Sequence, residues 1–156
     1  MTEITFRNDL YFSSDKQDWE TPKSLFEELD KRFSFDLDAA ANANNAKLPV
    51  YFTETENALE QQWEGNVFCN PPYGRGNAIY KWVSKAYEEY IRDPNRTIVL
   101  LIPARTETAY FHDFIFGKAK VEFLRGRLKF ESGGVAYPHN APFPSAVIIY
   151  GQEKKY

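Results

Sequence analysis

The amino-acid sequence predicts an α/β fold with a mostly parallel sheet, and three observations predict it. Short apolar segments suited to strands alternate along the chain with segments of helical period. Residues 97–102 form a near-continuous apolar run, as in a central strand covered on both faces. Ile79, Trp82, Val83, Ala86 and Tyr90 recur at the spacing of one helix face.

The elements follow in order. Residues 1–18 are polar and irregular and read as a loose arm. Thr21-Pro22 reads as a helix start, a capping hydroxyl followed by proline at the first helical position. Leu25, Phe26, Leu29 and Phe33 give that helix its apolar stripe. Residues 34–38 read as a short strand ending in acid, 39–49 as an Ala- and Asn-rich loop, 50–53 as a second strand, and 57–63 as a short helical turn. Residues 66–69 are apolar enough for a buried strand, which stops at Pro71-Pro72. The helix carrying Ile79 and Tyr90 comes next, then a turn at Asp93-Pro94-Asn95 and the apolar strand at 97–102. A helix over 106–116 closes at Gly117. Strands are expected at 118–124, continuing over 127–130 after Gly126, and at 146–150. No repeat, low-complexity tract or long linker divides the chain, so residues 19–156 are expected to form one domain.

Composition excludes several classes. A hydrophobic fraction of 43% and a charged fraction of 26% are ordinary for a globular protein. A single cysteine, Cys69, rules out an internal disulfide framework and suits a reducing compartment. Neither a signal segment nor a membrane-length apolar run is visible, so a cytoplasmic location is expected. His112 and His139 are the only histidines, and no spacing resembles a metal site, so no metal is expected. The net charge is −3, but it is unevenly spread. Residues 1–64 carry 6 Lys/Arg against 14 Asp/Glu, whereas residues 65–156 carry 13 against 8. Lys118, Lys120, Arg125, Arg127 and Lys129 lie close together in the basic half. Such a cluster suits either a phosphate-facing surface or a solvated strand edge.

Chemistry concentrates at Asn70-Pro71-Pro72-Tyr73. An exocyclic adenine amine is a poor nucleophile because its lone pair is delocalised into the ring. Two acceptors aimed at its hydrogens draw the nitrogen toward a more nucleophilic shape. The Asn70 side-chain carbonyl and the Pro71 backbone carbonyl can be those acceptors. Pro71 and Pro72 stiffen the turn, which keeps both aimed. Tyr73 offers an aromatic face for a base flipped out of its duplex. Asp36 and Asp38 end another strand, where ligands of α/β sheets bind.

The tetrapeptide resembles the catalytic motif of amino methyltransferases, which act on adenine N6, cytosine N4 or a glutamine amide. Further segments narrow the resemblance: Trp19-Glu20-Thr21-Pro22, Phe35-Asp36-Leu37-Asp38-Ala39-Ala40, Trp63, Leu101-Ile102-Pro103-Ala104-Arg105 and Gly126-Arg127-Leu128-Lys129-Phe130. In this order they resemble the small phage and prophage DNA N6-adenine methyltransferases of the Dam-like family, over about residues 18–150. The resemblance implies a Rossmann-like fold with a mixed, mostly parallel seven-stranded sheet, its last hairpin antiparallel, and helices on both faces. It also implies S-adenosylmethionine as methyl donor and DNA as partner, in a bacterial host cell.

The same resemblance implies roles. Asn70, Pro71, Pro72 and Tyr73 would be catalytic. Thr21, Pro22, Asp36, Asp38, Asn57 and Leu59 would bind the donor. Tyr73 and Phe130 would contact the flipped base, while Arg105 and Arg127 would meet the DNA. Plainer roles compete: Thr21 and Asp38 as caps, Asp36 as a supporting or surface residue, Asn57 as a turn residue, Phe130, Trp19 and Trp63 as packing. An Ala39-Ala40-Ala41 loop stands where many methyltransferases have glycines. The separate target-recognition domain of larger relatives is missing from the pattern, so loops at 105–107 and 131–144 are expected to read the base, with modest sequence specificity. An RNA or protein-glutamine methyltransferase using the same tetrapeptide, and a nucleic-acid-binding module with a decayed site, are the alternatives.

Overall fold

The computed structural model describes residues 19–74 and 77–153, so the expected arm over residues 1–18 lies outside the described residues. Among the described residues, three α-helices, one 3-10 turn and seven strands follow in order. These are α1 Lys23–Phe33, β1 Leu37–Asp38, the 3-10 turn Ala58–Glu60, β2 Val67–Cys69, α2 Ala78–Arg92, β3 Ile98–Pro103, α3 Ala109–Phe114, β4 Lys120–Phe123, β5 Glu131–Ser132, β6 Val135–Ala136 and β7 Ser145–Tyr150.

Five strands make the main sheet in the order β1-β2-β3-β7-β4. β1, β2 and β3 are parallel, and β7 runs antiparallel to both β3 and β4. The apolar run read as a central strand is β3, with all six residues buried. Register fixes which helix covers which face. Phe68 aligns with Val99 and Ile149, whereas Val67 aligns with Ile98 and Tyr150, and successive side chains alternate. Phe26 of α1 packs edge-on against Phe68 at 5.2 Å between ring centroids. Tyr87 and Tyr90 of α2 meet Tyr150 at 5.9 and 5.7 Å. The two helices therefore lie on opposite faces, as expected for a doubly covered sheet. No helix among the described residues is long and apolar enough to cross a membrane.

The sheet has five strands rather than seven among the described residues, and β5–β6 is a separate hairpin. Residues 50–53, expected as a strand, make one bridge from Tyr51 to Asp38. Asp38 N–H donates to Val50 O at 3.0 Å and Phe52 N–H to Asp38 O at 3.1 Å, after which the chain departs to wall a cavity. Residues 127–130 do not extend β4. Gly126, at φ 74°, turns the backbone away, and Leu128 O and Phe130 O instead accept from Ala141 N–H and Tyr137 N–H.

Thr21 does not cap α1. Pro22 is the N-cap and makes no side-chain cap bond, while the Lys23 N–H donates to the Glu131 carboxylate at 3.1 Å. The Thr21 hydroxyl oxygen instead accepts from the Asn70 side chain. At the other end, Arg32 forks onto Glu122 of β4 with bonds of 2.8 and 2.6 Å, tying α1 to the edge of the sheet.

One buried ionic cluster positions the wall of the cavity. Glu89 on α2 is buried and accepts from Trp63 N–H at 2.8 Å, Lys85 Nζ at 3.1 Å, Arg92 Nη2 at 2.7 Å and Arg96 Nη2 at 3.1 Å. The Trp63 indole, fully buried, donates to Ala58 O at 2.9 Å and so holds the 3-10 turn against the sheet. These partners hold the Glu89 carboxyl near 2, below its ordinary value, despite its burial.

Candidate active site

A cavity of about 540 Å³ opens at the carboxyl ends of β1 and β2. Its size lies within the range of small-molecule sites. Asp38, which ends β1, and Asn70, which follows β2, both line it. Thr21, Asn57, Leu59, Pro71 and Pro72 line it too, so seven of the residues singled out in the sequence line one cavity.

Asn70 has the most informative surroundings. Its Nδ2 donates to the Trp19 carbonyl at 2.6 Å and to the Thr21 hydroxyl oxygen at 3.1 Å. Its Oδ1 is buried and has no hydrogen-bond partner among the described residues. A buried acceptor without a donor is costly and is uncommon outside functional sites. The amide therefore presents a desolvated acceptor, which fits an N–H donor on an incoming ligand.

Asn57 adopts a left-handed conformation at φ 56° and its side chain accepts from Leu59 N–H at 3.2 Å, so it shapes the 3-10 turn beside the cavity. Asp36, expected beside Asp38 at the donor, does not line the cavity. Its carboxylate accepts from Asn66 N–H at 2.9 Å and fills the space beside Gly65, at the opposite end of the β1–β2 pair. Pro22 also lies off the cavity wall.

Tyr73 and Phe130, expected as base contacts, lie in an aromatic cluster. Tyr73 is 6% exposed, donates its hydroxyl to Leu101 O at 3.0 Å and meets Phe143 edge-on at 5.7 Å. Phe130 is fully buried against Trp19 and Phe143. In this conformation the two rings brace the turn rather than offer open faces. Arg105 and Arg127 are exposed beyond β3 and β4, away from the cavity wall.

The DNA N-6-adenine-methyltransferase (Dam) family matches residues 11–155, nearly the whole chain. The chain belongs to that family. It is 31% identical over 122 residues to the DNA N-6-adenine-methyltransferase of Escherichia phage T1, covering 76% of this chain and 49% of that relative. It is 29% identical over 137 residues to the DNA N-6-adenine-methyltransferase of Haemophilus phage HP1, covering 83% of this chain and 76% of that relative. The chain thus spans about half the length of the T1 relative and about three quarters of the HP1 one.

In this Dam-family chain the electrostatics of the cavity centre on Asp38. Burial pushes its carboxyl up to about 6, and the bond from Lys47 N–H at 3.0 Å only partly offsets that. The cavity therefore holds a carboxylate short of compensating charge, which suits a cationic or multiply donating ligand. Next along β2, burial pushes the Cys69 thiol well up, so it stays neutral. Among the lining residues that sequence reasoning did not assign to the site are Trp19, a backbone acceptor, Lys47, Phe52 and Trp82. Trp82 carried a signal, since it sat in the apolar face of α2 yet is only half-buried, turned toward the cavity.

Proposed function

We propose that this Dam-family protein transfers a methyl group from S-adenosylmethionine to the N6 amine of adenine in DNA, in the cytoplasm of a bacterial host. The observation that carries this reading is the buried, unpartnered Oδ1 of Asn70, held at the mouth of a strand beside a cavity of donor size. The residues present fit the donor. Asp38 supplies a desolvated carboxylate for its ammonium group, and Asn57 and Leu59 flank the wall where an adenine ring can lie. When bound, the donor supplies an electrophilic sulfonium methyl group.

The chain's own residues do the rest. Asn70 Oδ1 accepts one hydrogen of the target amine, and the Pro71 carbonyl is the proposed acceptor for the other. Because both are fixed before the base arrives, little reorganisation is left for the transition state. The amine sheds its proton after methyl transfer, so no general base is assigned. Tyr73 and Phe130 remain the proposed walls for the flipped adenine. Arg105 and Arg127 are proposed phosphate contacts. Residues 19–156 are read as one methyltransferase domain, with loops doing the base reading.

The test is transfer of labelled methyl from S-adenosylmethionine to unmethylated DNA, followed by nucleoside analysis. N6-methyldeoxyadenosine is the expected product. Label in RNA or polypeptide instead would refute the DNA assignment, and failure to bind the donor would refute the methyltransferase reading. Asn70→Ala is expected to abolish turnover while donor binding, measured by calorimetry, stays close to that of the parent; equal loss of both would overturn the role given to Asn70.

A further inference from the structure

We infer that the Trp19 carbonyl and the Thr21 hydroxyl are positioning groups that decide which end of the Asn70 amide faces the reacting amine; the inference rests on the function proposed above. Both bonds engage the nitrogen end of the amide, at 2.6 and 3.1 Å. Turned by half a rotation, Oδ1 would stand against the Trp19 carbonyl, two acceptors with no proton between them. The clamp thus fixes Oδ1 on the opposite side, where it is buried and unpartnered among the described residues.

A clamp must itself be fixed, and this one is. Glu20 and Glu131 exchange backbone bonds of 3.0 Å in both directions. The Glu20 carboxylate accepts from Gly133 N–H at 3.1 Å, and Glu131 accepts from Lys23 N–H at 3.1 Å. The Trp19 ring packs edge-on against Phe130 at 5.6 Å and Phe143 at 5.4 Å. Residues 19–21 are therefore pinned between the β5–β6 hairpin and the aromatic cluster, and their carbonyl and hydroxyl are rigid acceptors.

The Thr21 hydroxyl can also donate, but the Trp19 carbonyl accepts only, so the clamp favours a donor at position 70. In Asn70→Asp, an ionised carboxylate would turn an oxygen toward the Trp19 carbonyl and lose the orientation. Protonated, the same carboxyl would donate its O–H to Trp19 and leave its C=O for the amine. Asn70→Asp should then behave as a pH-dependent enzyme. The other titratable groups on the cavity are Glu20, Asp38, Lys47 and Glu54, and all are shared with the parent. Cys69 and Tyr73, which flank the site, are pushed up by burial and stay neutral. The ratio of variant to parent kcat at saturating donor therefore removes what these groups contribute independently of position 70.

The experiment measures kcat at saturating donor and DNA from pH 5 to 8, with donor binding and melting curves, for the parent, N70D, T21V and T21S. For N70D we expect kcat lower by about a hundredfold at pH 8, with the ratio to the parent recovering toward pH 5. T21V should lose about five- to tenfold in kcat, the worth of one neutral hydrogen bond, with KM for DNA unchanged and with recovery in T21S. An N70D enzyme matching the parent at pH 8, or a ratio flat with pH together with an intact T21V, overturns the clamp alone. If N70D does not melt cooperatively, the T21V and T21S pair decides. A parent protein that forms no N6-methyldeoxyadenosine overturns the functional reading and the clamp with it.

Discussion

Asp38→Asn should stabilise the ligand-free protein and cost it the donor. Asp38 is 3% exposed, and burial lifts its carboxyl from 3.8 to about 6. A carboxyl raised in the folded state disfavours the ionised form there. The penalty is absent below the unfolded value, grows as pH rises from about 4, and is complete above about 6. The gap corresponds to about 3 kcal/mol at neutral pH. Asparagine keeps an acceptor for Lys47 N–H, so the substitution removes the charge and little else. The melting temperature at pH 7.5 should rise by about 6–10 °C, and the difference from the parent should vanish near pH 4. Donor affinity should fall by about ten- to a hundredfold, the worth of a charge-assisted hydrogen bond. Melting curves at the two pH values, with calorimetric titration of S-adenosylmethionine, make the measurement. A variant that melts at or below the parent temperature at pH 7.5 would refute the claim that Asp38 is an uncompensated charge. Unchanged donor affinity would refute its role at the ammonium group.

Other outcomes follow from the same structure. Glu89→Gln should destabilise the fold by about 3 kcal/mol at pH 7, because it leaves Arg92 and Arg96 facing a neutral group. Since the Glu89 carboxyl is depressed from 4.5 to about 2, its contribution is complete above about pH 4.5 and lost as pH falls toward 2. Denaturant titrations of the two proteins should therefore converge in acid, and a gap that persists at pH 2 would contradict the account. Arg105→Ala and Arg127→Ala should each weaken DNA binding uniformly across sequences and lower the salt slope by about 1. An unchanged slope would remove that arginine from the DNA-facing surface.

The elements legible in the sequence were those whose signal is local. The apolar stripe of α1, the face of α2 and the continuous run of β3 each satisfy a periodicity that burial demands. The strand before Asn70 was readable because Pro71 and Pro72 must end it. Residues 50–53 misled for a physical reason: after the one bridge at Tyr51, Phe52 and Thr53 turn to the cavity wall, and an aromatic wall residue reads like a strand residue without its pairing. Thr21 misled differently. A hydroxyl before proline favours a cap, but a partner 49 residues away outcompeted the local backbone. Trp19 was legible as a packing ring, but its contribution to Asn70 left no signal, because that contribution is a backbone carbonyl, which every residue carries.

The position of β7 bears on how such a protein can be made. β7 is last in sequence among the described strands, yet it lies between β3 and β4 and bonds to both. Until residues 145–150 emerge from the ribosome, the six apolar residues of β3 have no partner on one side and β4 has no sheet to join. Loop closure over that distance precedes the contacts that reward it. The cavity, whose lining residues run from Trp19 to Trp82, is complete in sequence earlier than the sheet that supports it. A nascent chain therefore carries the open edge of β3 from residue 103 until residue 145, and chaperone occupancy mapped along stalled chains should peak before residue 145 and drop once β7 is free.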